Sequence, residues 1–134
     1  MVHNLEKTKD FWINTLGFKL LIEAKEESPY VDELLAIKDP SLTTIKLIDS
    51  NGFIIELLKF ENYQVENSWS GDLKTTGLTH IALTVGNLVE LVDKLKNQNY
   101  QPLSDIKISP NKKVKVVFVK GPEGITLELV QELG

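Results

Sequence analysis

The sequence predicts an α+β fold built from an internal repeat, each copy a helix followed by three or four strands. Three observations carry this. Val85-Gly86-Asn87-Leu88 stands before a second helix as Val2-His3-Asn4-Leu5 stands before a first, a shift of 83 residues. Glu56 and Glu128 each sit four residues after a turn glycine, Gly52 and Gly124, a shift of 72, so the second copy is shorter in its middle. A further alternating stretch, Thr79-His80-Ile81-Ala82-Leu83-Thr84-Val85, puts a histidine at the head of a strand.

Size and composition suit one domain over residues 1–134: the first module at about 1–60, a linker over 61–77 and the second module over 78–134. With 42% hydrophobic and 25% charged residues, the chain can bury a core without disulfides, and it has no cysteine to form them. No apolar run reaches the roughly 18 residues of a membrane span, and the N-terminus has no signal-like segment. The protein is therefore expected to be cytoplasmic, with no membrane partner. Net charge is −4 and the largest basic cluster is Lys112-Lys113-Val114-Lys115, which argues against nucleic acid. That cluster reads as a solvated hairpin flank.

Residues 5–16 are expected to form a helix. Leu5, Thr8, Phe11, Trp12 and Leu16 share one face, while Glu6, Lys7, Lys9 and Asp10 point away. Asn4 is the expected N-cap and Gly17 the left-handed stop. Four strands should follow, over 18–24, 31–37, 43–48 and 53–60. Glu26-Glu27-Ser28-Pro29, Lys38-Asp39-Pro40-Ser41 and Asp49-Ser50-Asn51-Gly52 separate them. Asn51-Gly52 marks a hairpin between the last two. The polar stretch 61–77 reads as a linker and partly as a lid, with Trp69 an anchor or dimer contact. Beyond it come a strand over 78–85 and a helix over 88–99 capped by Asn87. Strands over 103–108, 113–119 and 125–131 complete the chain.

By this repeat, the first copy should also open with a strand. Shifting His80 back by 83 residues lands before Met1, so the chain is expected to begin inside or just after that strand. A truncated chain, a misplaced start codon and a module that lacks the strand all fit the residues.

Three side chains stand out for chemistry. Strand alternation puts Ile54, Glu56 and Leu58 on one face and Phe53, Ile55 and Leu57 on the other. A carboxylate among Ile and Leu is costly unless a Lys, an Arg or a metal pairs with it, or unless the strand is an edge and the carboxylate lies in water. Glu128 has Thr126 and Val130 as same-face neighbours. His80 shares its face with Ala82 and Thr84, small enough to leave room for a ligand. A single histidine usually bonds a backbone carbonyl, but one His with two Glu from three strands makes a nitrogen and oxygen set for Zn, Ni, Co, Mn or Fe. His3, the only other histidine, is expected at a solvent-exposed corner and not as a ligand. No G-x-S-x-G elbow and no Gly-rich phosphate loop is present.

Asn4 through Trp12 leading to Leu16-Gly17-Phe18, the stretch Thr79 to Val85, and Gly121-Pro122-Glu123-Gly124 followed by Leu127-Glu128-Leu129 together resemble the vicinal-oxygen-chelate superfamily. That group includes glyoxalase I, methylmalonyl-CoA epimerase, extradiol dioxygenases and bleomycin-resistance proteins. The resemblance spans nearly the whole chain. It implies tandem βαβββ modules whose curled mixed sheets enclose a cleft, the first module lacking part or all of its first strand. In metal-dependent members each module gives one ligand from its first strand and one from its last. Here those positions are Glu56, His80 and Glu128, and the fourth has no counterpart. A glutamate at 56 resembles glyoxalase-like or epimerase-like members more than dioxygenases.

The resemblance further implies a lyase or isomerase acting on a small α-oxygenated substrate through a metal-stabilised enediolate, with Glu128 as the base that moves the proton. It also implies a homodimer. The rival expectation is a metal-free protein that sequesters a small molecule, as bleomycin-resistance proteins do. A dioxygenase-like member ranks last.

Overall fold

Asn4 opens the first helix, α1 (Leu5–Asp10), by accepting a hydrogen bond from Lys7 N–H at 3.0 Å. The helix then widens into a π-helical turn, Phe11–Thr15. Leu5, Thr8, Phe11 and Trp12 are buried, the face expected from their spacing. Trp12 meets Phe18 edge-on at 5.0 Å between ring centres. Gly17, at φ 80°, turns the chain out of the helix, where a side chain would be strained.

The computed structural model describes residues 1–65 and 72–134, which fall into two units, Met1–Asn67 and Ser68–Gly134. The expectation for Trp69 lies outside the described residues. In the first unit β1 (Lys19–Glu26), β2 (Leu42–Ile48) and β3 (Ile54–Phe60) form an antiparallel sheet in that order. β2 and β3 make the hairpin expected at Asn51-Gly52. Gly52 takes φ 85°, and Asp49 Oδ1 accepts from the N–H groups of Asn51 and Phe53. Ile45 and Leu47 are fully buried at the sheet's centre, each contributing about 1.5–3 kcal/mol relative to exposure.

The strand expected over 31–37 is instead a helix, α2 (Tyr30–Leu35). Asp32, Glu33, Leu34 and Leu35 form helix more readily than strand, and two acids in the first turn suit the helix dipole. Ser28 hydroxyl donates to Asp32, and Asp39 N–H donates to Asp32 Oδ2 at 3.2 Å, which ties both flanks to this turn. Only Val31 is buried, so there is no second apolar face for a sheet to use.

In the second unit β4 (Ile81–Thr84), α3 (Leu88–Asn97), β5 (Lys107–Ile108), β6 (Val114–Lys120) and β7 (Thr126–Glu132) follow in order. The sheet runs β4-β7-β6-β5, with β4 parallel to β7 and the rest antiparallel. Asn87 caps α3 by accepting from Glu90 N–H at 3.2 Å, and the next amide, Leu88 N–H, donates to Gln131 Oε1 at 2.9 Å. Gln131 shares its face of β7 with Leu127 and Leu129, both fully buried, so α3 covers that face.

Two expected strands are shorter than their patterns. Residues 78–85 yield only Ile81–Thr84, and Leu78 is exposed. Residues 103–108 yield Lys107–Ile108 and a single bridge between Pro102 and Val119. Ser104 hydroxyl bonds Asp105 C=O in between, a local bond that competes with a ladder.

The repeat shows in the backbone. Val2 N–H donates to Leu58 C=O at 2.8 Å, and Val85 N–H donates to Val130 C=O at 2.8 Å. These bonds superpose under the same shifts of 83 and 72. In the second unit β4 continues along that edge of β7, whereas β3 is the edge strand of its sheet. The architecture is the mixed α+β arrangement of two sheets that the sequence predicts. Among the described residues no helix is long and apolar enough to cross a membrane.

Candidate active site

The turn Gly121–Gly124 places Glu128. Gly121 N–H and Ile125 C=O close it, and Glu123 and Gly124 both take left-handed φ, 59° and 74°. The hairpin register that follows puts Phe118 opposite Glu128 on β6 and Ala82 opposite Glu128 on β4. Alternation along β7 then turns Glu128 away from buried Leu127 and Leu129, onto the face that α3 leaves open.

His80 precedes β4 by one residue and reaches the same face. Its Nε2 lies 3.2 Å from Glu128 Oε2, with the two side chains 33% and 27% exposed. Its Nδ1 lies 2.8 Å from Thr79 Oγ1. Its ring packs against Phe118 at 5.2 Å and 71°, a T-shaped contact. Thr79 and Phe118 thus flank a pair of one imidazole and one carboxylate. Ala82 and Thr84 are exposed beside them and leave the face open to a small molecule.

Two of the three expected site residues therefore meet. Glu56 belongs to the first unit, exposed on β3, with its carboxylate 3.6 Å from Lys46 Nζ directly across the hairpin. Of the partners open to it in sequence, a lysine is the one observed. His3 is exposed, as expected. Among the described residues no group of three or more His, Cys, Asp or Glu gathers as a metal set would.

The His80–Glu128 pair itself fits a shared ion in kind and spacing. Two donors each about 2.1 Å from one ion stand about 3.0 Å apart at right angles and about 3.4 Å apart in a tetrahedron. The observed 3.2 Å falls between.

A second polar region lies in the first unit. A cleft of about 480 Å³ is lined by His3, Glu23, Lys25, Thr43, Lys59 and Glu61 among others. Thr43 hydroxyl donates to Glu61 Oε1 at 2.6 Å, and Lys59 Nζ stands 3.8 Å from Glu61 Oε2. The Thr43 bond is the largest influence and, with the charges of Lys59 and Lys25, it holds the Glu61 carboxyl below its ordinary value against desolvation, which opposes it more than either lysine's charge helps. Lys9 donates to Glu23 Oε2 at 2.6 Å, and that bond raises the Lys9 ammonium above its ordinary value. Three carboxylates, Glu6, Glu23 and Glu61, and two lysines, Lys25 and Lys59, share the lining.

Thr79, Phe118 and Lys46 were not singled out in sequence. Phe118 and Lys46 were within reach by counting back from the two turns to the residue facing each glutamate. Thr79 carried only its position beside His80.

The family model of the glyoxalase/bleomycin resistance protein/dioxygenase superfamily matches residues 1–118. A protein named lactoylglutathione lyase from Neisseria meningitidis is 25% identical over 132 residues, covering 98% of this chain and 85% of its own. Among solved structures, a glyoxalase family protein from Bacillus cereus aligns with TM-score 0.90 at 20% identity, over 99% of this chain and 89% of its own. A genomically encoded fosfomycin resistance protein, FosX, from Listeria monocytogenes aligns with TM-score 0.63 at 13% identity, over 98% and 87%. Likeness at these identities carries the fold.

Proposed function

The chain belongs to the glyoxalase/bleomycin resistance protein/dioxygenase superfamily, and from that membership we propose that it is a glyoxalase I-like lyase or isomerase acting on a small α-oxygenated substrate. The observation that carries this reading is the 3.2 Å contact of His80 Nε2 with Glu128 Oε2 on the open face of the second sheet. An imidazole and a carboxylate there are the donors a divalent ion takes, and Glu56 is the further ligand expected from sequence. The chemistry such an ion supplies when bound is Lewis-acid stabilisation of negative charge on two adjacent substrate oxygens.

The chain's own groups do the rest. Glu128 takes the proton from the carbon beside the carbonyl. The C–H electron pair becomes a C=C bond and the carbonyl π pair moves onto its oxygen, giving an enediolate. Glu128 returns the proton to the former carbonyl carbon and the hydroxyl proton passes to that carbon's oxygen, so the substrate is isomerised without net gain or loss. Phe118 and Thr79 hold His80, and through it the carboxylate, in place.

The test is deuterium exchange at that carbon, followed by proton NMR in heavy water with protein loaded with Zn, Ni, Co, Mn or Fe(II). Glu128→Gln should lower the exchange rate by about 10²–10⁴-fold. Exchange that survives the substitution would remove Glu128 from the role of base.

One observation favours the alternative of a metal-free binding protein. Glu56 is already paired with Lys46 and does not need an ion to neutralise it. Metal analysis separates the two readings: one divalent ion per chain supports the enzyme, and none, with tight binding of an organic ligand, supports sequestration. A homodimer is part of the same proposal, supported by half-exposed Leu20, Leu21 and Ile22 on edge strand β1.

A further inference from the structure

We infer that Thr79 is a positioning residue whose hydroxyl fixes the orientation and tautomer of His80. Thr79 Oγ1 lies 2.8 Å from Nδ1, and Glu128 Oε2 lies 3.2 Å from Nε2 on the other side of the ring. Phe118 closes on the ring at 5.2 Å. An ionised carboxylate only accepts, so the neutral imidazole must carry its proton on Nε2. Nδ1 is then the bare nitrogen, and Thr79 O–H is the donor that meets it. The neutral ring has one arrangement that satisfies both neighbours, and Thr79 supplies half of it.

The choice of a hydroxyl has a second consequence, which rests on the metal reading above. An ion at Nε2 needs the lone pair of that nitrogen, and the proton must then sit on Nδ1. A hydroxyl both donates and accepts, so Thr79 can receive from Nδ1–H in that state after donating to Nδ1 in the other. A lysine or a carboxylate at residue 79 would satisfy only one of the two. Partners of this kind commonly change metal affinity by about 10–100-fold.

The experiment compares wild type, Thr79→Val and Thr79→Ser by long-range proton–nitrogen NMR of the neutral His80 imidazole, without metal and then with added Zn. Thermal unfolding of each variant confirms the fold. Wild type without metal should show a single tautomer, bare at Nδ1. Thr79→Val keeps the branched shape and removes the hydroxyl, so the ring should populate both tautomers. Thr79→Ser should restore the single one. With Zn, Thr79→Val should bind about 10-fold or more weakly, and Thr79→Ser as wild type does.

An unchanged nitrogen spectrum in folded Thr79→Val, or no restoration by serine, would overturn the inference. If wild type binds no Zn at all, the metal reading fails. The tautomer comparison still decides the role of Thr79, because it is made before any ion is added.

Discussion

Glu61 is a surface carboxylate whose hydrogen bond and nearby lysines outweigh the desolvation that opposes its charged form. Thr43 hydroxyl donates to it, and Lys59 and Lys25 stand near. Its carboxyl is therefore lower in the folded chain than in the unfolded one. Stability from this group is fully present above the ordinary carboxylate range and is lost as pH falls through the lowered folded value. Wild type and Glu61→Gln should differ most in melting temperature near neutrality and converge in acid. The effect will be small, because water screens the exposed group. A difference that grows in acid would show that the Thr43 and Lys59 contacts do not favour the anion. Glu56 poses the opposite question, since among the described residues its partner is Lys46. Lys46→Met removes that charge. If Glu56 is a metal ligand, Zn binding should hold or tighten in Lys46→Met and fall at least tenfold in Glu56→Gln. Equal binding in wild type and Glu56→Gln would leave His80 and Glu128 as the only ligands of the expected set.

Helices and turns depend on local chemistry, and that is where sequence was most legible. Asn4 and Asn87 cap α1 and α3 because a short side-chain oxygen reaches the third amide of either helix, whatever packs later. Asn87→Ala should cost about 1 kcal/mol by chemical denaturation. Leu95→Ala, at a fully buried site on the same helix, should cost about 2–5 kcal/mol. A cap loss exceeding the core loss would mean that α3 is held by its end and not by its face. Gly52 and Gly124 were legible for the same reason, since both need a left-handed backbone. No atom lies within 4 Å of a Cβ added at Gly124, so Gly124→Ala should cost only the backbone term, about 1–2 kcal/mol. Residues 31–37 form a helix and not the expected strand because the apolar spacing of so short a run does not separate the two, and the helix preference of residues 32–35 decides it. Thr79 and Lys46 were missed for another reason. What they touch depends on ring orientation and strand register, which a list of residues does not contain.

At the scale of the whole molecule, the repeat makes a prediction that neither unit makes alone. Val2 and Val85 make the same backbone bond, to Leu58 and Val130, so β3 and β7 occupy equivalent places in their sheets. Their surroundings differ. β7 lies between β4 and β6, while among the described residues β3 is paired along its length only with β2. Alternate amides of a strand point to opposite neighbours, so those on the outer side of β3 have no ladder to hold them. In native-state hydrogen exchange, β3 should alternate between protected and fast amides, and β7 should be protected throughout. The contrast should be lost in denaturant, where both strands unfold. An exposed edge of this kind is also a template for a further strand. Protection of the outer β3 amides that rises with protein concentration would identify a second copy as the strand that pairs there. Protection that is high and independent of concentration would contradict an open edge.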